Sequence, residues 1–183
     1  MKKLITLLCL FGSLALPAIA QAAAPTSTLT TIPSLDVPRY MGVWYEIAKY
    51  PNWFQRKCSR GTQAAYRLAA AGEVTVTNRC QTSSGEWIEA VGQARQIGAA
   101  SSPKLQVRFA PAWLSFLPFV WGNYWVIDLD EAYQLVAISE PSREYLWILA
   151  RTPRISPEAD QALRARLAQQ GFDLQRLERT PQE

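Results

Sequence analysis

Short strand-like runs, some alternating apolar and polar with a period of two and some continuously apolar, recur along most of this chain, and the pattern changes to a longer period only near the C-terminal end. Lys104-Leu105-Gln106-Val107-Arg108-Phe109 is the plainest case. Leu105, Val107 and Phe109 fall on one face and the polar residues on the other, as in a strand with one dry side. Similar runs recur at short intervals: residues 42–50, 62–68, 73–80, a long run over 86–97 interrupted at Gly92, then 104–109, 124–130, 134–139 and 145–151. In the first run, alternation puts Trp44, Glu46, Ala48 and Tyr50 on one face and Val43, Tyr45, Ile47 and Lys49 on the other. Gly92 marks a bend or bulge that lets one long strand serve both sides of a closed sheet. Short strands with turn residues between them predict an all-β sandwich or barrel.

Beyond residue 155 the period becomes 3.6. Ser156 is placed to cap a helix over 156–170, with Pro157 at its first position, Glu158 and Asp160 at its positive end and Gly171 ending it. Leu163 and Leu167, with Ala159 and Ala162, form one apolar stripe, while Arg164, Arg166, Gln169 and Gln170 face water. A helix with one stripe packs outside the sheet, and a short strand over 172–177 follows it. Residues 32–40, with Pro33 and Pro38, are expected to make a turn or one 3₁₀ winding that delivers the chain into the first strand.

Composition then sets the compartment. A basic start at Lys2-Lys3, an apolar run over 4–16 and small residues at Ala18 and Ala20 form a secretory signal over 1–20, cleaved between 20 and 23. Cys9 follows Leu8, where lipoprotein processing needs a small residue. The expectation is therefore an exported or periplasmic, soluble protein, peripheral at most on the outer membrane. Residues 21–37 are expected to form a flexible leader, and 38–183 one domain. Removing the signal lowers Lys+Arg from 19 to 17 against 15 acidic residues, a charge of +2, too mild and dispersed to argue for nucleic acid. It also leaves Cys58 and Cys80 as the only thiols in an oxidising compartment. The hairpin of the second and third runs brings them to the same end, and a disulfide is expected.

The chain contains no histidine, which removes Ser-His and Cys-His nucleophile pairs and His-ligated zinc or haem. Asp128 and Asp130 lie two apart on one strand without a partner that would make a catalytic pair, and one of them shapes a turn. No catalytic residue, metal site or cofactor is assigned. Glu46 is left with three readings: an arginine partner, a contact to a ligand headgroup, or rotation outward by a bulge.

Three separated motifs together resemble the lipocalin family: Gly42-x-Trp44 in the first strand, Tyr124-Trp-Val-Ile-Asp-Leu-Asp130-x-x-Tyr133 across the sixth and seventh, and Tyr145-Leu-Trp-Ile-Leu-Ala-Arg151 in the eighth. Their order, their spacing and the helix after them are similar to the bacterial lipocalins and their apolipoprotein D-like relatives. The resemblance implies an eight-stranded antiparallel up-and-down β-barrel with one C-terminal α-helix outside. It implies a small hydrophobic ligand such as a fatty acid or lysophospholipid, stored or transported in the service of outer-membrane lipid maintenance. It also implies that Gly42, Trp44 and Arg151 close the barrel's base, the guanidinium lying over the indole.

With phase taken from the fifth strand and these motifs, the expected ligand-facing residues are Tyr66, Val76, Asn78 and Ala90 from strands two to four. Val107, Phe109, Tyr124 and Val126 follow from strands five and six, and Val136, Ile138, Tyr145 and Trp147 from the last two. Loops after odd-numbered strands share the open end. Trp53 and Phe54 are therefore expected on one rim with Trp113, Phe116, Phe119 and Trp121 of the apolar 110–122 loop, close to Arg56, Lys57 and Arg60. Such a rim would dock on an anionic membrane surface or guide an amphiphile inward. The alternatives are a lid packed on itself, a homodimer contact, or a protein-interaction module that uses the loop without any ligand.

Overall fold

The computed structural model of the protein describes residues 28–69 and 73–183; the expected signal segment and residues 21–27 lie outside them. A single turn of helix, α1 (Val37–Tyr40), leads into β1 (Gly42–Lys49). Then come β2 (Arg60–Leu68), β3 (Val74–Gln81), β4 (Trp87–Gln96), β5 (Lys104–Arg108), β6 (Gly122–Leu129), β7 (Leu135–Ser139) and β8 (Leu146–Ala150). Each strand pairs antiparallel with the next, and β1 pairs with both β8 and β2, so the sheet closes on itself. The eight-stranded barrel is followed by α2 (Pro157–Gln169) and a two-residue strand β9 (Glu178–Arg179), which adds to the end of β1. The expected strand over 172–177 is instead a 3₁₀ turn at Leu174–Arg176, with the pairing displaced to 178–179.

Two apolar layers explain the sequence pattern. Inside the barrel, Leu35, Val37, Trp44, Val76, Val126 and Ile138 belong to one cluster. Outside it, Ile127, Leu135, Ala137, Leu146 and Ile148 meet Leu163 and Leu167 of α2. β7 is therefore buried at all five positions, and its first four, Leu135 to Ile138, read as an unbroken apolar run, whereas β5 alternates. Leu163 and Leu167 are fully buried, and each contributes roughly 1.5–3 kcal/mol. The helix begins where Ser156 Oγ accepts the amide proton of Ala159 at 3.2 Å. It ends in a Schellman motif, with Gly171 at φ +84° and amide bonds from Gly171 to Ala168 O and from Phe172 to Leu167 O.

Three expectations need correction. A bulge between Glu46 and Ala48 breaks the alternation of β1. Trp44 lies in the inner cluster, but Ile47, Ala48 and Tyr50 all join the layer beneath α2, so Ala48 and Tyr50 do not share the face of Trp44. At Gly92 no register shift occurs between β3 and β4. Glycine is required there because a Cβ would stand 2.5 Å from Arg108 O and 2.7 Å from the Phe109 ring. Finally, residues 28–37 are no flexible leader: Leu29 and Leu35 are buried, and amides of Ile32 and Leu35 bond to Val126 O and Ser101 O.

Cys58 and Cys80 form a disulfide with a Cα–Cα distance of 5.5 Å across a separation of 22 residues. Closing a loop of this length contributes about 3 kcal/mol in the chain-entropy account. Replacing both cysteines by serine should therefore lower the melting temperature by roughly 6–12 °C, measured by calorimetry; an unchanged transition would show that the loop is held without the bond.

Candidate ligand-binding site

The barrel has one filled end and one open end. At the filled end Arg151 lies with its guanidinium carbon 3.9 Å from the centre of the Trp44 ring. It donates to Val43 O at 3.0 Å, Arg39 O at 3.0 Å, Tyr40 O at 3.2 Å and Tyr133 O at 3.3 Å. Gly42, at φ +99°, is needed because a Cβ would sit 3.2 Å from Arg151 Nη1. Trp44 Nε1 donates to Tyr40 O, so the indole is fixed at both its face and its edge.

Above this base the interior is packed. Of the expected ligand-facing residues, Tyr66, Val76, Val126, Val136 and Ile138 are buried core, and the space beside Tyr66, Val107 and Tyr124 is a cavity of only about 10 Å³. Room for one water is the most it offers. The hydroxyls of Tyr40, Tyr66 and Tyr124 converge here, with O···O distances of 2.7 and 2.9 Å to Tyr124. Burial pushes the Tyr66 phenol up to about 12 and raises the other two well above their ordinary value, so all three stay neutral and form a polar floor to an otherwise apolar cup.

The accessible inner wall lies toward the open end. Ala90, opposite Asn78 in the β3–β4 ladder, is exposed, and Asn78 is half-buried. Phe109, whose ring lies over Gly92, is 44 % exposed. On the other side, Tyr145 and Trp147 stack with centroids 5.8 Å apart, and Phe54 leans on both at 5.6 and 6.1 Å. Of the expected rim, Trp53, Trp113, Phe116 and Phe119 are 72–80 % exposed. Trp121 does not belong with them. Its ring lies on the outer wall between Arg95 and Arg108, at 4.0 and 5.2 Å, and its Nε1 donates to Ser115 O.

Two features escaped the sequence. Glu46 is buried, its Oε2 accepting from Gln55 Nε2 at 2.7 Å and its Oε1 from Thr180 Oγ1 at 2.6 Å. Gln55 in turn accepts from Trp147 Nε1 at 2.9 Å, tying this carboxyl to the aromatic wall. None of the three readings left for Glu46 included the C-terminal segment, and no local pattern points from Thr180 to a strand 134 residues earlier. Arg108, on an outward position, is also buried under the loop that follows it; an arginine before an apolar loop was the available signal.

The lipocalin-like domain family matches residues 35–182, the whole of the barrel, helix and tail described above. The chain belongs to the lipocalin family. Temperature-induced lipocalin-1 of Arabidopsis thaliana is 39 % identical over 84 % of this chain and 83 % of its own length. Outer membrane lipoprotein Blc of Escherichia coli K12 is 37 % identical over 84 % of this chain and 82 % of its own. Among solved structures, the cockroach allergen Per a 4 superposes with a TM-score of 0.64 at 20 % identity, covering 89 % of this chain and 97 % of that one. That likeness concerns the fold alone. No helix among the described residues is long and apolar enough to cross a membrane.

Proposed function

We propose that this lipocalin is an exported, non-catalytic binding protein for a small hydrophobic ligand, a fatty acid or lysophospholipid, which it stores or carries in outer-membrane lipid maintenance. The observation that carries this reading is the half-open inner wall of Ala90, Phe109, Tyr145 and Trp147 above a packed floor. A packed floor limits how deep an acyl chain descends, and each methylene taken from water there contributes roughly 0.8 kcal/mol. Asn78 and the Tyr145 hydroxyl supply a few polar contacts of the kind that orient such a ligand. The name of the Escherichia coli relative, an outer membrane lipoprotein, supports the compartment.

Ala90→Trp tests the proposal, because it fills the mouth from a position that already faces open space. Binding of a fluorescent fatty acid should weaken by about tenfold or more, as blocking two or more methylenes would require. The melting temperature should stay within a few degrees. Wild-type protein that binds neither fatty-acid nor lysophospholipid probes would overturn the reading. It would favour the alternative, a protein-interaction module, for which the exposed tips Trp113, Phe116 and Phe119 are the specific observation.

A further inference from the structure

The charges of this protein are segregated in a way that its mild net charge hides. Among the described residues all five ion pairs lie on the side of α2 and the C-terminal tail: Lys49–Glu178, Arg154–Glu183, Arg164–Asp160, Arg166–Asp128 and Arg179–Asp160. The stretch from Trp53 to Trp125 is different. It holds eight cations and three acids, +5, whereas the rest of residues 21–183 holds nine cations and twelve acids, −3. None of those eight cations has a carboxylate within ion-pairing distance among the described residues.

Indole faces take the place of carboxylates. Arg79 lies over Trp87 at 5.0 Å, Lys104 over Trp125 at 4.3 Å, and Arg95 and Arg108 flank Trp121. Arg108 is buried, bonds through its guanidinium to Ala110 O and Gln93 Oε1, and leaves Nε without a partner. A buried cation without a counter-ion keeps the base of the β5–β6 loop positive. From that base the loop projects Trp113, Phe116 and Phe119, and Trp53 projects at the same end of the barrel with Arg56 and Lys57 beside it, all exposed.

We propose that the open end of the barrel is a docking surface for an anionic phospholipid bilayer. The aromatic tips enter the headgroup region, and Arg56, Lys57, Arg60 and Arg79 meet lipid phosphates. Cations beside indoles with apolar tips in front match the layered polarity of a bilayer surface. A soluble polyanion would leave the tips in water, and a second copy of this chain would bring the same positive surface against itself. Residues 152–183, which hold α2 and the tail, carry five cations and five acids and so offer the bilayer no net attraction, and the asymmetry also orients the molecule mouth-down.

The inference concerns the outer surface and goes beyond ligand binding, so the two are tested apart. Partition of the full protein into phosphatidylcholine vesicles, with and without phosphatidylglycerol, is measured by sedimentation at low and physiological salt. Wild-type protein should prefer the anionic vesicles by roughly tenfold or more, and added salt should reduce the preference. Trp113→Ser/Phe116→Ser/Phe119→Ser should abolish partition into either vesicle, and Arg56→Glu/Lys57→Glu should abolish the preference. Both variants should keep the wild-type melting temperature and fatty-acid binding in vesicle-free buffer. Equal partition into both vesicles, or partition unmoved by either variant, would overturn the proposal. So would binding to soluble dextran sulfate without binding to vesicles, or a wild-type dimer that the triple serine variant converts to a monomer.

Discussion

Arg151→Ala should lower the melting temperature by about 6–12 °C while leaving fatty-acid affinity close to wild type. The guanidinium satisfies carbonyls from four separate positions, Arg39, Tyr40, Val43 and Tyr133, and covers the Trp44 ring. It therefore joins α1, β1 and the β6–β7 turn at one point. A charge-assisted bond contributes about 1.5–3 kcal/mol when buried, and the indole contact about 0.5–2 kcal/mol. Arg151 is partly exposed, so solvent replaces some of these partners, and a net loss of about 3 kcal/mol is the reasonable magnitude. In a domain of this size each kcal/mol is worth about 2–4 °C. Arg151→Lys should recover less than half of the loss, because an ammonium cannot fork to several carbonyls or lie flat on an indole. Thermal unfolding and a fatty-acid titration on the same preparations decide the matter. A normal melting temperature with lost affinity would move Arg151 from the base of the fold to the site.

That the base was legible and the seam was not follows from how each is built. Gly42 and Trp44 act through residue types whose physics is visible singly, a backbone that must come close and a large apolar plug, whereas Arg151 was placed over the indole only by the family resemblance. Strands with one dry face, β5 above all, were equally readable, because one dry face imposes alternation. β1 failed at the point where two dry faces meet: Ile47 and Ala48 are both apolar, and nothing in Glu46-Ile47-Ala48 announces that two residues turn to the same side. Trp121 failed for a related reason, since an aromatic in an apolar loop looks like its neighbours until the arginines beneath it are placed. Residues 28–37 look like a leader by composition, yet Leu29 and Leu35 find pockets that other segments create.

The C-terminal segment carries the largest unforeseen consequence, because it repairs the barrel where β1 and β2 part. Their ladder ends at Tyr45–Gln63. Beyond it the tail supplies the bonds: Thr180 N to Ile47 O, Gly61 N to Pro181 O, and Gln182 Nε2 to both Glu46 O and Thr62 O. Burial raises the Glu46 carboxyl above its ordinary 4.5, while the Thr180 and Gln55 side chains, and the charge of Lys49, pull it partly back. A carboxyl whose folded pKa is raised binds its proton more tightly in the native state than in the unfolded chain. Its contribution to stability is therefore complete below the ordinary carboxylate range and declines as pH rises through the raised value, with a limiting slope of about 1.4 kcal/mol per pH unit. Glu46→Gln should remove that decline, so the wild-type-minus-variant difference in unfolding free energy should shrink steadily as pH goes from acid to neutral. Thr180→Val should do the opposite. It deletes a donor that matters most to the ionised carboxylate, so it should cost about 2 kcal/mol, or roughly 4–8 °C, at pH 8 and clearly less at pH 4. Denaturant unfolding of the three proteins across this range is the measurement. A Thr180→Val penalty that is equal at both ends of the range would mean that Glu46 keeps one protonation state throughout.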